Sequence, residues 1–194
     1  YINCLKSQDY SNLNIIAIDN NVELDNDDVK ILCAQFPELE IIRPGYNTGF
    51  GAGHNILINR AKQTGSEFYA AFNFDMLLEP NFITELLNAA LKNPRISSAT
   101  GKIRMWDFDH KERWGNNGRT NFLDTTGLQI THGHRFLDRG QGEIDHGQYD
   151  VEEDVFGSSG AAVLYRMSAL EDVAYVNLEG KKEYFDELMF MYKE

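Results

Sequence analysis

Short apolar runs alternate with helical patterns three times in the first half of the chain. The predicted strands are 14–18, 40–42 and 68–72, and the predicted helices are about 27–35, 54–63 and 80–91. Strands and helices that alternate over short connections predict a mainly parallel sheet with helices on both faces. The chain is therefore expected to adopt an α/β fold.

Polar clusters follow each of the three predicted strands. Asp19 follows the first, a glycine-rich stretch at 44–53 follows the second, and Asn73 and Asp75 follow the third. In parallel α/β sheets the ligand lies outside the carboxyl ends of the strands. We therefore expect these clusters to meet in one crevice.

The second half has a weaker pattern. Glycines break residues 101–155 into short extended pieces, which predicts a mixed, loop-rich region. A further core strand is predicted at 160–165, and Ser168 is a candidate helix cap.

Composition limits the function classes. At roughly 150 residues per domain, a length of 194 residues predicts one domain. The net charge of −12 disfavours nucleic acid as a partner, so an anionic ligand needs a local cation or a metal. No apolar run approaches the ~20 residues of a membrane span. Cys4 and Cys33 are expected to be buried thiols in a reducing compartment, with a disulfide as the less favoured alternative.

Two motifs at the predicted crevice suggest chemistry. Asn73 and Asp75 offer the hard oxygen ligands that Mg²⁺ or Mn²⁺ prefers; alternatively, Asp75 merely caps a turn. The glycines of 44–53 do not match the G-x-G-x-x-G dinucleotide fingerprint. They still allow close backbone approach to a ligand, with a helix starting near His54 facing an anion or a base; a flexible surface loop is the alternative.

Two other clusters have simpler interpretations. His132, His134 and Asp138 suggest zinc only weakly, because no pattern of further ligands accompanies them. Arg135 and Arg139 would contact a phosphate or belong to a solvated face. The acids Asp25, Asp27 and Asp28 are typical of a helix start.

A series of short motifs runs along nearly the whole chain. In order they are Gln8-Asp-Tyr10, Ile18-Asp-Asn-Asn21, Asn47-Thr-Gly-Phe50, Gly53-His-Asn55, Phe72-Asn-Phe-Asp75 with Glu79-Pro80, Asp124-Thr-Thr-Gly127, Asp138-Arg-Gly-Gln-Gly142, Gly147-Gln-Tyr-Asp150, Val155-Phe-Gly-Ser-Ser-Gly-Ala-Ala162, Glu183-Tyr-Phe-Asp186 and Phe190-Met-Tyr-Lys-Glu194. In this order and spacing the chain resembles the inverting family-two glycosyltransferases of the GT-A fold, particularly their rhamnosyltransferase-like branch.

The resemblance implies a role for each matching residue. Asp19 would contact the base or ribose, and the base pocket would be walled by Asn47, Gly49, Phe50, Gly53 and Asn55. Asp75, with Asn73, would hold Mg²⁺ or Mn²⁺ on the donor diphosphate. Gly160 and Ala161 would lie under the sugar and acceptor. Glu194 would be the first member of a Glu-Asp pair whose aspartate is the catalytic base.

The resemblance also implies a reaction and a setting. A nucleotide-diphosphate sugar would be the donor, and rhamnose is one candidate for the sugar. The acceptor would be a glycan or a lipid-linked molecule. The reaction would belong to cell-surface polysaccharide synthesis. Residues 1–100 would be the nucleotide-binding half of one domain and 101–194 an incomplete acceptor-side half. The expected location is cytoplasmic, peripheral to the inner face of the membrane, and the chain is expected to be truncated at both ends.

Three alternatives stay open at this point. A sugar-1-phosphate nucleotidyltransferase would share the broad fold. A non-catalytic module would bind a sugar nucleotide or glycan without turnover. The glycine spacing disfavours an NAD-dependent oxidoreductase.

Overall fold

A computed structural model describes residues 1–22, 27–109 and 117–189. The elements of the first half are α1 (Ile2–Lys6), β1 (Ile16–Ile18), α2 (Asp27–Gln35), β2 (Glu40–Ile42), α3 (Gly49–Gln63), β3 (Phe68–Phe72) and α4 (Phe82–Leu91). The alternation of strand and helix is therefore confirmed. The predicted bounds of α2 and β3 are those of the structure.

The second half is built from short strands. Its elements are β4 (Ser98–Thr100), β5 (Ile103–Trp106), β6 (Arg119–Thr125), β7 (Leu128–Ile130), β8 (Phe136–Asp138), β9 (Ala162–Arg166), α5 (Met167–Val173), β10 (Tyr175–Val176) and β11 (Lys182–Glu183). This agrees with the expected mixed, loop-rich region. Residue Ser168 lies inside α5, whose N-cap is Arg166, so the predicted cap was wrong.

The strand pairings are both parallel and antiparallel. The β1–β2 pair is parallel, with Ile18 opposite Ile42. The pairs β5–β6, β7–β8 and β10–β11 are antiparallel, and a three-stranded sheet has the order β3-β9-β4. The parallel arrangement is thus shown for the first two strands, and a mainly parallel sheet stays a prediction.

Helix α3 begins at Gly49, five residues before the predicted start at His54. The glycine-rich stretch therefore ends as the first turns of a helix, and the expectation of a loop up to residue 53 was wrong. Periodicity missed these turns because they carry glycine where a helix ordinarily carries side chains. Residues Gly51 and Gly53 are buried, so the small size of glycine matters here.

The described residues form two compact units. The first comprises described residues of 1–69, 74–85 and 165–194, and its core contains the fully buried Ile58. The second comprises described residues of 70–73 and 86–164, with Leu123 and Val163 fully buried. The predicted halves 1–100 and 101–194 of a single domain stay a prediction.

Two burial predictions need correction. Both cysteines are free thiols, but Cys33 is exposed and only Cys4 is half-buried. On α4 the buried residues are Ile83, Leu86, Leu87 and Ala90, whereas Leu91, whose helical spacing favours the same apolar face, is 62% exposed. A terminal helix position lacks the neighbouring turn that would cover it.

Candidate functional site

Asp19 stands at the carboxyl end of β1 and is held by Arg43. Since Ile18 pairs with Ile42, residues 19 and 43 leave the parallel pair side by side. The Nε of Arg43 donates to Oδ2 of Asp19 over 3.0 Å, and the backbone N–H of Asn21 donates to Oδ1 over 3.0 Å. The Asp19 side chain is 15% exposed, and each carboxylate oxygen has a second acceptor position that ligand hydroxyls can use.

Sequence reasoning did not identify Arg43 as a site residue. The signal that could have found it is strand register, because residues one position beyond two paired parallel strands lie next to each other. Arg43 places a guanidinium at this strand end, where the Asp19 carboxylate neutralises its charge.

Asn20 joins the end of β1 to the start of α3. Its Oδ1 accepts from the backbone N–H of Thr48 over 3.1 Å and from the Thr48 hydroxyl over 2.7 Å. Oδ1 of Asn47 accepts from the N–H of Gly49 over 2.9 Å, and Gly49 has a φ of 69°. Amide oxygens thus already satisfy two N–H groups at the helix start, where the sequence suggested an anion or a base.

The two buried glycines of α3 allow close packing. A Cβ at Gly51 would lie 2.8 Å from the backbone oxygen of Asp186, which is closer than real Cβ contacts. A Cβ at Gly53 would lie 3.0 Å from Oγ1 of Thr48. Protein atoms therefore lie against both glycines on the side where a Cβ would project.

Asn55 is buried, with 1% exposure, and its side-chain amide is saturated. Its Nδ2 donates to the backbone oxygen of Phe185 over 2.9 Å and to Oε1 of Glu187 over 3.0 Å. Its Oδ1 accepts from the N–H groups of Tyr184 over 2.9 Å and Phe185 over 3.0 Å. Protein atoms therefore occupy all the hydrogen-bonding positions of this amide. The predicted contact between Asn55 and a nucleotide stays a prediction.

Aromatic rings surround the same segment. The ring centroid of Phe185 lies 5.8 Å from that of Phe50, 5.7 Å from that of His54 and 5.9 Å from that of Tyr165. Nδ1 of His54 is hydrogen-bonded to the hydroxyl of Tyr69 at 2.5 Å. Burial lowers the pKa of His54 to about 4, so the imidazole is neutral at pH 7. Phe50, predicted for the base pocket, thus packs partly against Phe185.

Asn73 and Ala161 are neighbours. The backbone N–H of Asn73, directly after β3, donates to the carbonyl oxygen of Ala161 over 2.9 Å. Gly160 and Ala161 form the turn that precedes β9. The structure thus brings together a residue predicted for the metal site and one predicted for the sugar and acceptor.

Asp75 lies in the turn after β3 and is exposed. Within the described part of the chain its carboxylate has no hydrogen bond or ion pair, so its oxygens remain available to a ligand. Among the described residues, no group of three or more His, Cys, Asp or Glu side chains is placed to hold a metal ion. The oxygens of Asp75 and Asn73 suit Mg²⁺ or Mn²⁺, which often binds one or two protein carboxylates and takes its other ligands from substrate phosphates and water.

Two predictions fall outside the described ranges. Glu194, the predicted start of the acidic pair, lies there, as does Asp25 of the helix-start cluster. A shared crevice for Asp19, Gly49 and Asp75 also stays a prediction. The structure connects Asp19 with α3 through the neighbouring Asn20, and all these residues except Asp75 are joined by the contacts described above.

The histidine pair lies in a hairpin turn. Residues 132 and 134 connect β7 to β8, and His134 has a φ of 55°. The two histidines therefore do not share one face of a strand. Arg139, a predicted phosphate contact, pairs with Glu153 and lies 4.3 Å over the ring of Tyr149. Its role toward a phosphate stays a prediction.

A groove of about 740 Å³ lies at the opposite, amino-terminal ends of β1 and β2. Its polar lining includes Glu40 and Arg60, which form a two-pronged ion pair. Its apolar lining includes Leu13, Ile15 and Phe36. The predicted site residues are absent from this lining, so the groove is separate from the candidate site.

The comparison with protein families identifies the class. The family model for Glycosyl transferase family 2 matches residues 1–173, and the chain belongs to that family. No curated protein matches the chain. Membership implies the GT-A fold, glycosyltransferase activity, and nucleotide-sugar donors with acceptor substrates.

These findings decide among the alternatives. Family membership favours the glycosyltransferase over the nucleotidyltransferase and over the NAD-dependent oxidoreductase.

In the described residues, no helix has both the length and the apolar character needed to cross a membrane.

Proposed function

We propose that the protein binds a nucleotide-diphosphate sugar at the carboxyl ends of β1 and β2 and transfers the sugar with inversion. The observation that carries the proposal is the Asp19–Arg43 pair, which lies beside the helix start that Asn20 secures. A carboxylate with vacant acceptor positions suits ribose hydroxyls or a base N–H. A guanidinium beside it suits an anionic donor.

The base pocket is proposed to be walled by the start of α3. Its residues are Asn47, Gly49, Phe50 and Gly53, whereas the side chain of the buried Asn55, also assigned to this wall by the resemblance, is saturated by protein atoms. The support is their position just before and within the first turns of α3, whose start is bonded to the end of β1 through Asn20. A helix start is rigid, so it would present the base with a preformed surface.

Asp75 and Asn73 are proposed to hold Mg²⁺ or Mn²⁺ on the donor. The residues fit, because Asp75 is exposed with an unpartnered carboxylate in the described chain, and both side chains supply hard oxygens. When bound, such an ion neutralises charge on the leaving diphosphate. An acidic protein would in this way tolerate an anionic substrate.

The sugar and acceptor are proposed to lie over the turn at Gly160 and Ala161. The acidic pair that begins at Glu194 is proposed to supply the base, which removes the proton from the acceptor hydroxyl. The hydroxyl oxygen then bonds to the anomeric carbon as the bond to the diphosphate breaks. A single displacement of this kind inverts the configuration.

The biological setting is also part of the proposal. The residues act as one glycosyltransferase domain, with 1–100 its nucleotide-binding half. Rhamnose is a candidate sugar, a glycan or lipid-linked molecule is the acceptor, and the product is a cell-surface polysaccharide. The site of action is the cytoplasmic face of the membrane, to which the protein would bind peripherally.

A nucleotide-sugar panel tests the proposal. The full-length protein is incubated with UDP-, dTDP- and GDP-sugars, Mn²⁺ and a set of glycan acceptors, and released nucleoside diphosphate is measured. Calorimetry with UDP, dTDP and GDP runs in parallel. Release with one donor supports the proposal, binding without release favours the non-catalytic module, and neither binding nor release contradicts both.

A further inference from the structure

The segment 184–187 is attached to α3 through a single side chain that uses its whole hydrogen-bonding capacity. A carboxamide has two N–H donors and two acceptor positions. In Asn55 both donors and both acceptor positions are used by Tyr184, Phe185 and Glu187. A nucleotide could bind this amide only by displacing buried backbone hydrogen bonds, which is costly.

Apolar contacts reinforce the attachment. Phe185 lies among the rings of Phe50, His54 and Tyr165. The backbone of Asp186 passes so close to Gly51 that no other side chain fits there. Two further hydrogen bonds fix the segment itself, from Lys181 Nζ to Glu187 Oε1 at 2.5 Å and from the Glu187 N–H to Glu183.

The same helix is attached to the predicted nucleotide site. Thr48 binds Asn20 at the end of β1, and Asn55 follows Thr48 by seven residues along α3, about 10 Å at 1.5 Å per residue. Glu187 in turn precedes Glu194, the predicted catalytic acid position, by seven residues. One rigid helix therefore bonds to the strand end that carries Asp19 and to the segment that leads toward the acidic pair.

We propose that Asn55 is a positioning residue, which locks segment 184–187 onto α3 and acts on the chemistry through that segment rather than by touching the nucleotide. The inference rests on the proposed function, since the chemistry meant is sugar transfer. The first turns of α3 then set the spacing between the donor pocket and the catalytic segment. Loss of the Asn55 amide lowers turnover and leaves nucleotide affinity intact.

The variant Asn55→Ala tests the proposal, with Asn59→Ala as its control on the same helix. Asn59 is exposed and donates to the backbone oxygen of Asn55 over 2.9 Å. In Asn55→Ala we expect hydrogen exchange at the Tyr184 and Phe185 amides to become at least about tenfold faster. We also expect kcat to fall at least about tenfold, with the Kd for UDP, dTDP or GDP within about twofold of wild type. Asn59→Ala should match wild type in all three.

A second variant guards against misfolding of the first. Gly51→Ala keeps the Asn55 side chain but places a Cβ against the backbone of Asp186, so the segment must shift away from α3. We expect faster exchange at residues 184 and 185 and the same split between kcat and Kd. Gly133→Ala is its control, because a Cβ there meets only Thr131 Oγ1 at 3.8 Å.

The outcomes separate the two proposals. Weakened nucleotide binding in Asn55→Ala with unchanged exchange at residues 184 and 185 overturns the positioning role and restores Asn55 as a nucleotide contact. Unchanged kcat in both variants despite faster exchange also overturns it. If wild type binds none of the three nucleotides, the proposed function fails, while faster exchange in both variants still supports the attachment by Asn55.

Discussion

The backbone N–H of Asn73 donates to the carbonyl oxygen of Ala161, although 88 residues separate the two in the chain. The turn after β3 is thereby joined to the turn before β9. The family resemblance assigns Asn73 to the metal site and Ala161 to the sugar and acceptor site. This contact lies within the second unit and fixes the backbone of Asn73.

Asp75→Ala should abolish most turnover. If the carboxylate holds a metal on the donor, its loss removes about 3 kcal/mol of transition-state stabilisation, which corresponds to about a hundredfold in rate. Turnover is measured across a Mn²⁺ titration, with Asp154→Ala as the control because Asp154 is also exposed. Full activity of Asp75→Ala in the presence of a chelator would rule out the metal role.

Asp19→Ala should weaken nucleoside binding selectively. Hydrogen bonds to a charged group contribute about 1.5 kcal/mol, so the affinity for UDP, dTDP or GDP should fall at least about tenfold. Arg43 keeps its charge, so affinity for pyrophosphate should not fall. Calorimetry with both ligands checks this, and Asp172→Ala, at an exposed position, serves as control. Equal losses for nucleotide and pyrophosphate would argue against a base or ribose contact.

The free energy of unfolding should decrease as the pH is lowered from 6.5 to about 4, because of His54. Burial lowers the pKa of this imidazole from 6.5 in the unfolded chain to about 4, so the unfolded state binds the proton first as the pH falls. The stabilisation is complete above pH 6.5, and about 3 kcal/mol is lost by pH 4. Denaturant unfolding at several pH values measures it.

His54→Phe should remove this pH dependence. Tyr69→Phe should keep it, because burial rather than the phenol lowers the pKa of His54. If the stability of Tyr69→Phe no longer depended on pH in this range, the hydrogen bond rather than burial would be the cause of the lowered pKa of His54.

Asp145→Asn should destabilise the second unit. Lys102 and Arg104 both donate to this carboxylate, which is 3% exposed, and Lys102 is the larger cause that holds the pKa of Asp145 well below its usual range. Removing one partner of a buried ion pair destabilises a protein because the other charge stays buried. Arg104 is half exposed to water, so we expect the free energy of unfolding to fall by only about 2 kcal/mol. Asp150→Asn, at a 64% exposed partner of the same lysine, should cost less than about 1 kcal/mol. Similar losses in both variants would contradict this account.

Local pattern was enough to predict the elements whose boundaries depend on neighbouring residues. The aromatic and apolar run at 68–72 became β3, and the helical spacing from Asp27 to Gln35 became α2, with the predicted bounds. Both are set by periodicity and by the polar turns that follow, which act over a few residues. The placement of Asp19 directly after β1 followed in the same way.

Contacts between distant residues decided the rest. The start of α3 depends on Asn20, and the burial of Gly51 depends on Asp186, which no window around residue 50 contains. The partnership of Arg43 with Asp19 required the register of β1 against β2. The side chain of Asn55 is occupied by atoms some 130 residues away. The sequence by itself determined the order of elements and the chemistry at the strand ends, because those follow from short-range sterics and hydrophobic period. Only the tertiary structure decided which polar side chains are already satisfied, because packing selects the partner of each buried donor and acceptor.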